Sequence, residues 1–315
     1  MTKLVLWTSN VLNDGPSVIR KQHIEKSNYE LTTSLRTHFR DSQEDATYNS
    51  STTRNGSSVT NGTRHRPTLS SWTAREGATL YIPTKDWSAN GLTEERSQYD
   101  ITVKLFFLPN IPTSRRATQA REALALVLKE LKVESVDLLI ASYPGVSFVA
   151  DDEDAQDKRH GCSESIAAYS APPPKSDPST EAEDVPTMIE TWRSLEKLHA
   201  QGVIGKLGVC EFGSQRLAHF IKQAHVRPSV NQINKEGIEL LTHNDCTDIL
   251  PKGTVRELLG QSEKGVGVLA ESGEDEGQGL KGDVEPQFVI KYTAVVKDRG
   301  VVENKGYYAV ADLND

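Results

Sequence analysis

Between residues 101 and 241, apolar β-branched runs alternate with amphipathic helical stretches. That alternation confines the chain to folds built on a parallel sheet. Ile101–Phe107 (ITVKLFF) is β-branched and aromatic, and reads as a strand. After Pro112 and a capping Thr113, the residues Leu124, Val127, Leu128 and Leu131 repeat at helical spacing and make one apolar face. Val136–Ala141 is a nearly continuous apolar run, suited to a strand covered on both sides. A second helix starts at Pro186, turns Met188, Trp192, Leu195 and His199 inward, and ends at Gly202. Ile204–Val209 then reads as a strand. Ser214–His225 reads as a helix with Leu217, Phe220, Ile221 and Ala224 on one side, and Val230 and Ile238–Leu241 begin two further runs. Strand, helix, strand in this order means parallel neighbours joined by right-handed crossovers. No Gly-x-Gly-x-x-Gly follows a strand and no Gly-Lys-Ser/Thr loop occurs, which disfavours a doubly wound nucleotide fold. A (β/α)8 TIM barrel is the expectation.

Two stretches fall outside this pattern. In residues 42–71, 18 of 30 residues are Ser, Thr, Asn or Gly, too few apolar groups to offset the entropy of ordering. The glycosylation-type triplets at Asn49, Asn55 and Asn61 follow from that composition. Residues 151–185 open on Asp151-Asp152-Glu153-Asp154, carry Pro172-Pro173-Pro174, and hold ten acids against three bases. Both stretches are expected to be disordered insertions, the second an acidic solvated loop. The remaining 250 residues suit one barrel domain spanning 1–315.

Charge then sorts the function classes. The whole chain carries a net −8, and −7 of it sits in residues 151–185, so the barrel itself is nearly neutral. Nothing in that balance favours nucleic acid. No run of 18 apolar residues occurs, which excludes a transmembrane helix, and the apolar stretch at Leu4–Trp7 is too short for a signal peptide. Cys162, Cys210 and Cys246 are too widely spaced to imply a disulfide framework or a zinc site. The expectation is a cytoplasmic protein with no metal centre.

The run ALALVLKELKVESVDLLIASYP (123–144) resembles the aldo-keto reductases, whose helix ending near L-x-x-V-D-L feeds a strand ending H-W-P. GVIGKLGVCEFGSQRLAHFIKQAHVRPSVNQIN (202–234) is similar to the same superfamily's block from G-K-I-R-x-I-G-V-S-N-F to V-N-Q. The resemblance implies a carbonyl-reducing site of Tyr, Lys, Asp and His beside a nicotinamide. Lys104 matches the family's lysine, but Ser142 stands at the histidine's place, and nothing in residues 1–100 matches the block that supplies Asp and Tyr. The pair that holds the carboxamide is replaced by Cys210 and Glu211, and a carboxylate there repels the amide oxygen. Gln232 is retained. Lys305 falls near the family's phosphate-loop lysine, although the chain ends at Asp315, before that loop's Arg and Asn. A lysine without its tyrosine has no proton donor for a carbonyl. Lys104 and Ser142 are therefore read as vestigial catalytic positions, and Cys210, Glu211, Gln232 and Lys305 as vestigial cofactor positions, with no bound cofactor expected.

Leu240–Asp245 (LLTHND) and IKYTAVVKDRGVVENKGY (290–307), with a weaker match at VLNDG (11–15), are similar to the regulatory (modifier) subunits of glutamate–cysteine ligase. That resemblance implies a non-catalytic chain forming a heterodimer with the ligase's catalytic subunit and raising its activity in the first step of glutathione synthesis. Thr242, His243, Asn244 and Asp245 are the expected partner contacts, because they lie at a barrel-mouth loop. The alternative is an NADPH-dependent aldo-keto reductase with a divergent site. One departure bears on the fold. Only Ile233–Gly237 separates Gln232 from Ile238, too few residues for a parallel crossover, so either a segment is missing and the barrel is incomplete there, which is the expectation, or the two runs are not neighbouring parallel strands.

Overall fold

The computed structural model describes residues 1–13, 27–52, 66–88, 91–109, 111–148, 182–233, 249–251, 253–270 and 279–314. The first half of the chain supplies β1 (Thr2–Trp7), α1 (Ser27–Thr52), α2 (Leu69–Trp72), β2 (Ala74–Glu76), β3 (Thr79–Ile82), β4 (Tyr99–Phe107), α3 (Thr113–Leu131) and β5 (Val136–Ser142). The second half supplies α4 (Val185–Ala200), β6 (Ile204–Cys210), α5 (Ser214–Gln223), β7 (Val230–Gln232), α6 (Thr254–Leu259), β8 (Asp283–Val296) and β9 (Val301–Asn314).

All of these strands join one sheet in the order β2-β3-β1-β9-β8-β4-β5-β6-β7. The run β4 to β7 is parallel, with Lys104 opposite Ile140, Ile140 opposite Gly208, and Gly208 opposite Val230. This is the strand–helix repeat expected of an aldo-keto reductase barrel. The rest of the sheet is different. β8 and β9 form a long antiparallel hairpin turning at Gly300 (φ +60°), and it lies between β4 and β1. The sheet is thus mixed, and among the described residues no pairing joins its edge strands β2 and β7 into a closed ring. The second run begun at Ile238 lies outside the described residues.

Period-two alternation sends the strand side chains to two helical layers. Ile101, Val103, Leu105 and Phe107 of β4 pack with Leu124 and Val127 of α3, Met188, Trp192 and Leu195 of α4, and Phe220 of α5. On the opposite face, Leu4, Leu6, Phe106, Tyr307 and Ala309 pack with Leu31, Leu35 and Phe39 of α1 and with Val255, Leu258 and Leu259 of α6. Each buried Leu, Val or Phe contributes roughly 1.5–3 kcal/mol, so neither layer is a minor partner.

Local signals explain most helix ends, with adjustments. Asp184 caps α4 by accepting the Thr187 amide at 3.0 Å, and Pro186 sits in the first turn as expected. In that helix Leu198 is buried, whereas His199 is half-buried and sets Nδ1 2.8 Å from the Ile204 carbonyl. Thr113 is the first residue of α3 and not its cap; Pro112 holds the cap position. The Ser/Thr-rich stretch is not unstructured from residue 42, because α1 continues to Thr52. Leu31, Leu35 and Phe39 already fix one face of that helix to the sheet, and Ala46, buried two turns later, prolongs it. Its far end is helical too, with Trp72 of α2 buried against Phe39 at 6.2 Å between ring centroids. Of residues 151–185, Glu183 and Asp184 are tied down, Glu183 by Arg116 at 2.8 Å; residues 149–181 lie outside the described residues.

Candidate functional site

Most of the expected site residues lie on one face of the parallel strands, toward their carboxyl ends. Lys104 leaves β4 on the face shared with Phe106, and is buried at 4% exposure. Its Nζ stands 3.2 Å from Oε1 of Gln232 on β7, and 5.2 Å from the Phe106 ring centroid. Two strands, β5 and β6, lie between those two residues. Strands sit about 4.8 Å apart, so a flat sheet separates β4 from β7 by about 14 Å. Two side chains reaching across that gap require the sheet to curl, with this face concave. A barrel needs curvature of this sense.

Ser142 is opposite Phe106 in the ladder, and Cys210 is opposite Gln232. Both are buried, and the Cys210 thiol points at the Ala141 carbonyl at 3.6 Å. Glu211 follows with a left-handed backbone, φ +63°, donating its amide to the Gln232 carbonyl at 2.8 Å. Its carboxylate turns back to accept the Phe148 amide at 3.2 Å. The Asn231 side chain clamps Phe212, accepting its amide at 3.3 Å and donating to its carbonyl at 2.8 Å. Four of the six expected positions, Lys104, Ser142, Cys210 and Gln232, therefore share the concave face, with Glu211 at its rim.

Lys305 is placed differently. It lies within β9, not in a loop, and its ammonium is held by both carboxylate oxygens of Glu30 at 2.6 and 2.7 Å. That same carboxylate accepts the Tyr307 hydroxyl at 2.6 Å. Tyr307, Lys291 and Lys104 stand directly opposite one another across β9, β8 and β4. Opposed residues share a face, so a phenol, three ammonium groups and a carboxylate gather on one side of the sheet. The sequence reading missed Glu30, Lys291 and Tyr307. Lys305-Gly306-Tyr307 has the spacing that puts both side chains on one face, but its place beside β4 depends on non-local pairing.

As to chemistry, a proton donor must come within hydrogen-bond reach of the group it protonates. Tyr307 spends its hydroxyl on Glu30, and two strand spacings, about 10 Å of backbone, separate it from Lys104. Among the described residues no three His, Cys, Asp or Glu side chains converge as a metal site, and no helix is long and apolar enough to cross a membrane. The expected partner contacts Thr242, His243, Asn244 and Asp245 lie outside the described residues.

Comparison with known proteins accords with this layout. A Schizosaccharomyces pombe protein, provisionally named glutamate–cysteine ligase regulatory subunit, is 24% identical over 69% of this chain and 72% of its own. The mouse glutamate–cysteine ligase regulatory subunit is 23% identical over 68% of this chain; the match spans 66% of the mouse protein, just under two thirds. Aldo-keto reductase family 1 member A1 of Cricetulus griseus is 29% identical over 45% of this chain and 37% of its own. The sequence profile of the aldo/keto reductase family matches residues 76–265, which takes in β3 through β7 with the Lys104–Gln232 face. With more than half its length inside that profile, the chain belongs to the aldo/keto reductase family.

Proposed function

We propose that the chain is a non-catalytic regulatory subunit that binds the catalytic subunit of glutamate–cysteine ligase and raises its activity in the first step of glutathione synthesis. The observation that carries this reading is the pair of relatives bearing that subunit's name over two thirds of the chain. The concave face supports it. The Lys104 ammonium meets the Gln232 amide oxygen, a serine stands where a reductase places histidine, and the Glu211 carboxylate is spent on the chain's own backbone. Regulation of this sort requires only that the chain bind one conformer of its partner more tightly than another. The working unit is a cytoplasmic heterodimer that needs no cofactor. Co-expression tests it. A tagged catalytic subunit should retain this chain through gel filtration, and ligase turnover should rise as the chain is titrated in. Failure of both defeats the reading.

The second reading, an NADPH-dependent carbonyl reductase with a rearranged site, draws on Tyr307, which places a phenol on the same face as Lys104. Nicotinamide fluorescence separates the two. Saturable NADPH quenching that persists in Tyr307→Phe, together with turnover of a test aldehyde that is lost in it, establishes the reductase and removes the regulatory proposal's premise of an unused site.

A further inference from the structure

On the face of the sheet opposite Lys104, the first two turns of α3 roof a cavity of about 200 Å³ over β1, β8 and β9. Its lining is apolar at Phe288 and Val310 of the floor and polar at Gln287 and Asp312 of the floor and Gln119 of the roof, all of them at most 4% exposed. Gln287 donates Nε2 to the Glu285 carbonyl at 3.2 Å, which fixes its amide orientation. Its Oε1 then accepts from Nε2 of Gln119 at 3.3 Å. That bond leaves Gln119 Oε1 as a buried acceptor with no protein partner. An unmet buried acceptor costs about 1–3 kcal/mol, so a donor arriving there is rewarded. The Asp312 carboxylate beside it takes Arg115 through one oxygen, at 2.7 Å.

The rim has the opposite character. Arg115 and Lys3 are cationic and partly exposed, and Ser114 and Thr118 bring hydroxyl-bearing side chains from the first two turns of a 19-residue helix. The first turn of a helix favours an anion. Lys3 is paired with Glu122 and Arg115 with Asp312, so the four charges cancel and the cavity gains nothing from a ligand with net charge.

We infer that this cavity is a binding site for a small zwitterion, an α-amino acid whose ammonium sits on Gln119 Oε1 and Asp312 and whose carboxylate sits at the α3 amino terminus beside Arg115. The volume fits an amino acid with a short side chain and no dinucleotide. The site is on the far side of the sheet from the Lys104 face and is independent of the regulatory reading.

Thermal unfolding and titration calorimetry on the full chain test the site. Glycine, L-alanine and L-serine are the probes; N-acetyl-L-alanine, L-alanine amide, ammonium chloride and inorganic phosphate are the controls. The free amino acids should raise Tm and bind saturably, while the blocked forms and the simple ions should not. Gln119→Leu removes the acceptor without adding bulk but also takes the donor from Gln287 Oε1, so the unliganded variant should unfold close to the parent temperature and bind L-alanine at least about tenfold more weakly. The site is overturned if no free amino acid shifts Tm, if a blocked form or simple ion matches it, or if Gln119→Leu binds unchanged.

Discussion

Lys104 and Gln232 touch at 3.2 Å from strands that are not neighbours. The contact puts an ammonium in a nearly dry position, with an amide oxygen and the Phe106 ring among its surroundings. Burying a charge is costly, and a well-packed apolar replacement of similar length is often neutral or stabilising. Lys104→Met keeps the length and apolar stem of the side chain and should therefore fold. Under the regulatory proposal the variant should also keep its full effect on ligase turnover. A reductase would lose its activity with the same substitution, so parallel assays of Tm, ligase activation and aldehyde turnover place the residue.

His38 of α1 ties stability to pH. Burial, with the Lys85 ammonium adding to it, lowers this imidazole from 6.5 to about 4. Its ring meets Trp7 edge-on at 4.3 Å between centroids. Above pH 6.5 the histidine is neutral folded and unfolded, and the stability it contributes is fully present. As the pH falls from 6.5 toward 4, the unfolded chain takes up a proton that the folded chain refuses, and that stability is lost. The loss amounts to about 3 kcal/mol by the low end of the window. Urea unfolding from pH 7 to pH 4 should show this decline, and His38→Phe, which keeps an aromatic ring against Trp7, should flatten it.

The parallel half of the fold was legible because each element carries its own period. Leu124, Val127 and Leu131 lie on one helical stripe and are buried, and the continuous apolar run at Val136–Ala141 is a strand between two parallel neighbours. The C-terminal half was not. Asp298-Arg299-Gly300 marks a turn, yet nothing local says that Asp283–Asn314 inserts between β1 and β4, because that choice is made by pairing partners nearly two hundred residues away or more. The same gap hid Tyr307 and Lys291 from the site. Lys104 and Gln232 could be paired from a family pattern; Glu30 could not, since α1 begins a stretch whose second half reads as low-complexity.

Gly306 shows how closely that hairpin packs. A side-chain carbon there would stand 2.5 Å from the hydroxyl oxygen of Tyr292, which is 1% exposed. The phenol has little room to retreat, since its ring lies against Tyr308 at 6.2 Å between centroids. Gly306→Ala should destabilise by about 1–3 kcal/mol through overpacking. Tyr292→Phe removes the clashing oxygen, so the double variant should recover part of the loss. Denaturant midpoints of the single and double variants measure the coupling.

Glu30 joins α1 to the centre of the sheet. One carboxylate neutralises Lys305 and accepts the Tyr307 hydroxyl, while Leu31 and Leu35 on the same helix are wholly buried. The apolar contacts alone give α1 its face; the carboxylate fixes its register against β9. Hydrogen bonds to charged groups are worth about 1.5–3 kcal/mol each, so Glu30→Ala should cost on that order, and Glu30→Gln less because it still offers an oxygen to the phenol. The loss should be local as well as global. Amides of α1 should exchange faster with solvent in Glu30→Ala while those of α3 and α4, which pack on the other face, exchange at a rate set by global unfolding. Equal acceleration in all three helices would mean that Glu30 stabilises the domain as a whole and does not seat α1.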